Sequence, residues 1–487
     1  MSLEALAEAR LELGERLRRE GRIDEAIEAY RAAVAREPAS ADTHHALASL
    51  LGRHGLREES RAHYLEALRL APGDPVVHSS LLYLDGYDPA LDAVAALRDH
   101  VWWDRLHGRG LLPWAPHANR PDPERRLRVG YVSPDLRAHP VARFMLPIYE
   151  AHDRARVEVV SYARVARLDA IGERFRAASD RWRGTAGLDD EALARQVRAD
   201  EIDVLVDLSG HTGGNFLGAF SRRPAPVQVS YLGYPRTTGV AAIGYRLTDG
   251  VCDPPGEPSA HSEELVRLPG AWCCWEPQPA PEVAPPPCLG KGHVTFGSLH
   301  NVLKINDDVL DVWARVLAAV PRSRLLIRRN TLIGATRERF LSRLVSRGVA
   351  PDRVDLGTAS VDGFGHLRTY AEIDLSLDTL PWSAHTTTCE SLWMGVPMLT
   401  QRGSRAAGRQ SASVLEAVGL RELVAESADE LVRLAAAWAG APARLAECRG
   451  RLREQVRRSP LCDGPAFTRG LEGVYRALWR RWCASTR

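Results

Sequence analysis

The first ninety residues repeat at an offset of 34, and this periodicity constrains the fold more than any other feature of the 487-residue chain. Gly21, Glu25, Tyr30, Ala33 and Pro38 return as Gly55, Glu59, Tyr64, Ala67 and Pro72, while Leu13, Leu47 and Leu81 hold the same register. A unit of this length is two amphipathic helices that cannot bury their apolar faces alone, so consecutive units must stack. Gly21 and Gly55 fall at the turn inside each unit. Ala33 and Ala67 are small enough to let helices approach closely. Pro38 and Pro72 end the second helix, because proline lacks the N–H that a helix interior uses. About two and a half units fit before residue 90, so the last helices are expected to cap onto the next domain.

This is the tetratricopeptide period, and such arrays usually bind peptide segments. From residue 126 the pattern changes to short β-branched runs alternating with helical stretches. Strands are expected at 127–133, 157–162, 203–208 and 227–232. A stretch with prolines at 277, 279, 281, 285, 286 and 287 then reads as a stiff, solvated linker. The alternation resumes with strands at 294–297, 324–328, 354–357, 374–377 and 397–400. Such alternation predicts parallel, doubly wound sheets. The expected organisation is repeats over 1–90, a helical linker over 91–125, an α/β lobe over 126–276, the Pro-rich linker over 277–290 and a second, nucleotide-binding lobe over 291–487. An interlobe cleft would receive ligand at the carboxyl ends of the strands.

Composition narrows the partners. Basic and acidic residues number 64 and 62, a net charge of +2, which excludes a chain dominated by a nucleic-acid-binding or membrane-surface field. Neither an apolar run of transmembrane length nor the apolar core of a signal peptide is found. Eight cysteines without CxxC spacing predict neither a disulfide framework nor a zinc site. The expectation is a cytoplasmic protein. Only Lys291 and Lys304 are lysines, so each is a residue that the composition did not favour.

Two segments of the second lobe carry anion chemistry. FGSLHNVLK at 296–304 begins on a strand and ends on Lys304, a point charge suited to a diphosphate leaving group. DTLPWSAHTTTCE at 378–390 follows another strand. Thr387 and Glu390 read there as a T-x-x-E capping box, which puts His385, Thr386 and Thr387 near a helix N-terminus able to bind phosphate oxygens. In the first lobe His139 and His211 stand in loops after strands, where an imidazole can take or hold a proton. Gly210, Gly213 and Gly214 allow close backbone approach beside His211. No D-x-D pair, P-loop or nucleophile elbow occurs, so phosphate charge is expected to meet lysine, hydroxyls and a helix dipole rather than a metal.

Taken together these motifs resemble the O-GlcNAc transferase family, glycosyltransferase family 41. The matching pieces, in family order, are RVGYVSPD at 128–135 with His139-Pro140, VDLSGHT at 206–212, RPAPVQ at 223–228, LGYP at 232–235 with Thr238-Gly239, the 296–304 segment, LDT at 377–379, HTT at 385–387, GVP at 395–397, Arg409 with Ser411, and SPL at 459–461 with Tyr475 and Trp479. The resemblance implies a GT-B fold and an inverting, metal-independent transfer from UDP-GlcNAc to Ser or Thr of an acceptor protein, with no cofactor beyond the donor. It places Lys304, His385, Thr386 and Thr387 on the diphosphate with Asn301 nearby. It puts His366 against the base, Glu390 near the ribose, and His139 and His211 towards the acceptor and the reacting sugar. The family pattern has Asp where Glu390 stands, Gln where Asn301 stands and a basic residue near Asp362-Gly363. Alternatives are a GDP-fucose donor, as in the SPINDLY-type branch, a UDP-glucose donor, a non-catalytic repeat scaffold, and a GT-B-like epimerase or small-molecule glycosyltransferase.

Overall fold

The computed structural model describes residues 3–111, 116–257, 260–359 and 364–486, with side chains from Leu11 onward. Asp362 and Gly363 lie outside the described residues. Five helices come first: α1 (Leu3–Arg19), α2 (Ile23–Arg36), α3 (Ala41–Arg53), α4 (Arg57–Leu70) and α5 (Pro75–Asp85). Gly21 and Gly55 turn the chain between α1 and α2 and between α3 and α4 with φ of +77° and +74°, where a side chain would be strained. Ala33 and Ala67 are fully buried, as the repeat requires. Ser40 and Asp74 cap α3 and α5 by accepting from backbone N–H groups.

The chain continues through α6 (Ala93–His107), β1 (Leu127–Ser133), α7 (Pro140–Ala151), β2 (Val157–Ala163), α8 (Ala170–Ala177), β3 (Arg181–Gly184), α9 (Asp190–Ala199) and β4 (Val204–Asp207). Next come α10 (Leu217–Ser221), β5 (Val227–Ser230), β6 (Tyr245–Thr248), β7 (Glu264–Arg267), α11 (Cys288–Lys291), β8 (Thr295–Ser298), α12 (Asp307–Ala319) and β9 (Arg324–Arg328). The last part holds α13 (Gly334–Val345), β10 (Val354–Gly357), β11 (Leu375–Leu377), α14 (Thr386–Trp393), β12 (Met398–Gln401), α15 (Gln410–Val418), β13 (Val424–Ala425), α16 (Ala428–Ala439), α17 (Pro442–Arg458) and α18 (Gly464–Ser485).

Two compact units result. One combines the repeats through Ala90 with Pro279–Ser404 and Glu422–Arg453; the other combines Leu91–Gln278, Arg405–Arg421 and Glu454–Arg487. Each holds one all-parallel sheet. The first unit has the order β10-β9-β8-β11-β12-β13 and the second β3-β2-β1-β4-β5-β6-β7. Central strands are buried along their length, as in β4, β5 and β8, so that even their few polar residues lie inside the sheet's cover.

Three features depart from the sequence reading. The repeats cluster with Pro279–Ser404 rather than with the lobe that follows them in sequence. The Ala335 N–H donates to Asp24 (3.0 Å), and His54 Nδ1 meets the Thr336 hydroxyl (3.3 Å). The Pro-rich stretch is pinned rather than solvated: the carbonyls of Pro281 and Ala284 accept from Arg453 and Arg449 of α17. Finally, residues 405–421 and 454–487, read as part of a 291–487 lobe, cluster with the second unit. There Glu472 of α18 accepts from His152 (2.8 Å) and from the Asp153 N–H (2.9 Å), and the Ser413 hydroxyl of α15 donates to Asp249.

Candidate functional site

In the first unit β9, β8 and β11 lie side by side and run parallel, so the loops that follow them emerge at one edge of the sheet. After β8 the chain tightens into a 3-10 turn, Val302–Lys304. Asn301 caps it by accepting from the Leu303 N–H (3.1 Å). The Lys304 ammonium donates to the Ser383 carbonyl (2.8 Å) in the loop after β11. Burial pushes its pKa down to about 8, with Asp378 opposing the fall and Arg329 adding to it.

That second loop is organised by Asp378, the first residue after β11. One carboxylate oxygen accepts from the Thr379 and Ala384 N–H groups (both 2.8 Å), and the other from the Thr400 hydroxyl (2.6 Å). His300 Nε2 stands 3.2 Å away. Asn306 and Trp313 donate to the carbonyls of Leu380 and Asp378. The loop therefore delivers His385 to the start of α14 in a set geometry. Burial lowers His385 to about 3, with the Lys304 charge contributing second, so its imidazole is neutral.

Helix α14 begins at Thr386 with His385 in the N-cap position and no side-chain cap. The T-x-x-E capping box does not form, because the helix starts before Thr387, which places Glu390 too far along it to reach the helix end; Glu390 instead accepts from His366 Nε2 (2.7 Å). That bond, working against burial, raises the His366 pKa. The first N–H groups of α14 have no partner inside the helix, and the half-buried Thr386 and Thr387 sit there. A partly buried ammonium, a neutral imidazole, two hydroxyls and a helix start are brought together. All of them can donate to an anion.

The candidates of the second unit lie after β1 and β4, which pair directly. His139 is half-buried in the N-cap position of α7, where its Nδ1 accepts from the Val141 N–H (3.3 Å) and lies 3.6 Å from Asp135. Burial lowers its pKa. With the Nδ1 lone pair so used, the neutral ring carries its proton on Nε2 and presents a donor there. His211 is 1% exposed and donates Nε2–H to the Thr238 carbonyl (2.8 Å). Its ring meets the edges of His100, Trp103 and Tyr234 at 5.0–5.6 Å. The turn before it needs Gly210, at φ +52°, because a Cβ would stand 2.4 Å from that of Tyr234.

Sequence reasoning quoted the segments that contain Asp378 and His300 but gave those residues no role. It also missed Arg329, directly after β9, whose charge reaches Lys304, His300 and His366. An Asp at the carboxyl end of a central strand was the available signal for the first; nothing local marks the other two. Among the described residues no group of three His, Cys, Asp or Glu side chains is arranged to hold a metal, and no helix is long and apolar enough to cross a membrane. All eight cysteines are free thiols.

Residues 63–275 and 288–471 match the glycosyl transferase family 41 model, and residues 14–55 match a TPR repeat model. The chain belongs to glycosyl transferase family 41. Over 371 residues it is 46% identical to a Petunia hybrida protein named "Probable UDP-N-acetylglucosamine--peptide N-acetylglucosaminyltransferase SPINDLY", covering 75% of this chain and 40% of that one. It is 30% identical to the SEC protein of Arabidopsis thaliana, which carries the same enzyme name, covering 74% and 38%. The family 41 chain thus spans about two-fifths of the length of the curated relatives it matches. A solved structure of a Thermobaculum terrenum O-GlcNAc transferase, a lysine-to-methionine mutant, matches it with a TM-score of 0.92 at 39% identity, covering 99% of this chain and 92% of that one. With its two all-parallel sheets and helical repeats, this family 41 chain has the GT-B type of fold.

Proposed function

We propose that this chain transfers N-acetylglucosamine from UDP-GlcNAc to Ser or Thr hydroxyls of acceptor proteins, with inversion and without a metal ion. The observation that carries the reading is the Lys304 ammonium held beside His385 and the start of α14. In the transfer the acceptor oxygen attacks the anomeric carbon from the face opposite the diphosphate. The bond from that carbon to the β-phosphate oxygen breaks and its electron pair stays on UDP. The acceptor proton passes to water or to the donor phosphate. Charge therefore grows on the diphosphate as the reaction proceeds, and a preorganised cation and helix start stabilise that charge most in the transition state.

On this reading Lys304, His385, Thr386 and Thr387 hold the diphosphate and Asn301 supports the turn that presents Lys304. The His366–Glu390 pair receives the nucleoside. His139 offers its Nε2–H to the substrates as a donor, and His211 braces the loop after β4. The roles of Asn301, His366, Glu390, His139 and His211 rest on the family resemblance together with these contacts. A second reading, a GDP-fucose donor, is favoured by the identity of 46% to a SPINDLY protein against 30% to a SEC protein.

Intact-mass measurement of candidate acceptor proteins incubated with UDP-GlcNAc, UDP-glucose or GDP-fucose, each with and without EDTA, tests the proposal. A mass gain of one N-acetylhexosamine from UDP-GlcNAc, unchanged by EDTA, is expected. A gain of one deoxyhexose from GDP-fucose alone establishes the second reading. No gain with any donor, together with no thermal stabilisation by UDP or GDP, refutes both and leaves a repeat scaffold.

A further inference from the structure

The third repeat reaches the loop that anchors Lys304. Trp382 lies in that loop, one residue before the Ser383 carbonyl to which Lys304 donates. The ammonium stands 5.6 Å from the centroid of the Trp382 ring, within the range of a cation–π contact. The indole is 7% exposed. Its cover comes from the repeat segment. Tyr87, just beyond α5, stacks on it at 4.5 Å with 15° between the planes, and Tyr83 of α5 meets it edge-on at 5.6 Å. The two tyrosines are locked to each other, with the Tyr87 hydroxyl donating to that of Tyr83 (2.7 Å). The Thr379 hydroxyl donates to the Trp382 carbonyl (2.9 Å), which ties the backbone of Trp382 to the loop that Asp378 organises.

This arrangement is more than packing at a distance from the chemistry. An ammonium on a four-carbon stem has many rotamers, and each one that is excluded leaves more of the population facing one place. Here one side of the ammonium is filled by an aromatic face, and its hydrogen bond goes to the neighbouring carbonyl. The charged groups that also face it are Asp378, Arg329 and, through its ring, His385. Without the stack, Trp382 would lose its cover and water would reach the ammonium.

We propose that Trp382, clamped by Tyr83 and Tyr87 of the repeat segment, is a positioning residue for the Lys304 ammonium, which makes the end of the repeat array a working part of the donor site. The inference rests on the diphosphate role given to Lys304 above, and its test separates the two.

The chain's two lysines permit a direct measurement. Competitive amine labelling across pH, read by mass spectrometry, follows Lys304 with Lys291 as the internal reference in the same digest. In Tyr87→Ala and Trp382→Ala the labelling midpoint of Lys304 rises, because the amine is resolvated. Tyr87→Phe, which keeps the ring, restores most of the wild-type midpoint. Trp382→Phe gives an intermediate value, so a misfolded alanine variant does not end the test. UDP affinity, with UDP itself as the probe, falls about tenfold in Tyr87→Ala. That loss disappears when Tyr87→Ala is made in a Lys304→Ala background. Unchanged midpoints in folded Tyr87→Ala and Trp382→Ala overturn the inference. So does an equal tenfold loss in the Lys304→Ala background, which makes the stack purely structural. If the wild type neither binds UDP nor transfers sugar, the diphosphate reading fails, while the labelling midpoints still decide the role of the stack.

Discussion

Replacing Lys304 with methionine should stabilise the folded chain at neutral pH while removing its activity. The fall of the lysine from its usual 10.5 to about 8 corresponds to about 3 kcal/mol, at about 1.4 kcal/mol for each tenfold change in proton affinity. Two effects reduce that figure. The side chain keeps some contact with solvent, which screens the penalty. Methionine also cannot donate to the Ser383 carbonyl, a bond worth about 1 kcal/mol. A net gain of about 1 kcal/mol remains, or about 2–4 °C in the melting temperature of a unit of this size.

The sign depends on pH. Below pH 8 the lysine is charged in both the folded and unfolded states, and the folded state bears the whole cost. As pH rises through about 8 the folded lysine releases its proton, whereas the unfolded one keeps its proton until about 10.4. The wild type therefore recovers stability over that window and the advantage of Lys304→Met shrinks. Thermal melts followed by tryptophan fluorescence at pH 7 and pH 9.5 check this, beside transfer assays in which turnover falls about 100-fold or more. A Lys304→Met protein less stable than wild type at pH 7, or one whose gain is the same at pH 9.5, refutes the reasoning.

Three further predictions concern the groups around that lysine and in the second unit. Asp378→Asn removes the buried charge and turns one of the two accepting oxygens of a three-bond hub into a donor; it should cost about 2 kcal/mol of stability, read by urea unfolding, with a matching loss of UDP affinity. His366 should titrate above its ordinary range because Glu390 holds its proton. Its contribution to stability is present at low pH and lost as pH rises through that raised value, and NMR of Glu390→Gln should show its midpoint lowered. Gly210→Ala forces a side chain into a left-handed turn and against Tyr234; a loss of about 2 kcal/mol or more is expected, and an unchanged melting temperature would show that the turn relaxes.

Much of the fold was legible because its signals are local. Strands expected at 127–133, 324–328 and 354–357 form with those bounds, since each carries β-branched or aliphatic residues between turn-forming segments; β1 and β9 are central, and β10 is an edge whose Leu356 alone is buried. The missed strands are β3, β6, β7 and β13. β3 (Arg181–Gly184) and β7 (Glu264–Arg267) are edges, half-exposed and built from charged residues, so no apolar run marks them. The capping-box reading of Thr387 and Glu390 failed for a different reason. The loop after β11 starts the helix at Thr386, one residue before the cap that reading needs, and Glu390 pairs instead with His366, 24 residues away in sequence.

By itself, the sequence determined the 34-residue repeat, the alternation of strands and helices, and the marking of Lys304 as one of two lysines. These rest on periodicity, turn chemistry and composition, which act over a few residues at a time. Only the tertiary structure decided what surrounds Lys304. Asp378, Trp382 and Ser383 come from the loop after β11 and Arg329 from the loop after β9 of the same parallel sheet, and Tyr83 and Tyr87 come from a repeat more than two hundred residues earlier. A pKa near 8 and a fixed direction for the ammonium are properties of that enclosure. Desolvation and hydrogen bonding act through space, so no reading along the chain contains them.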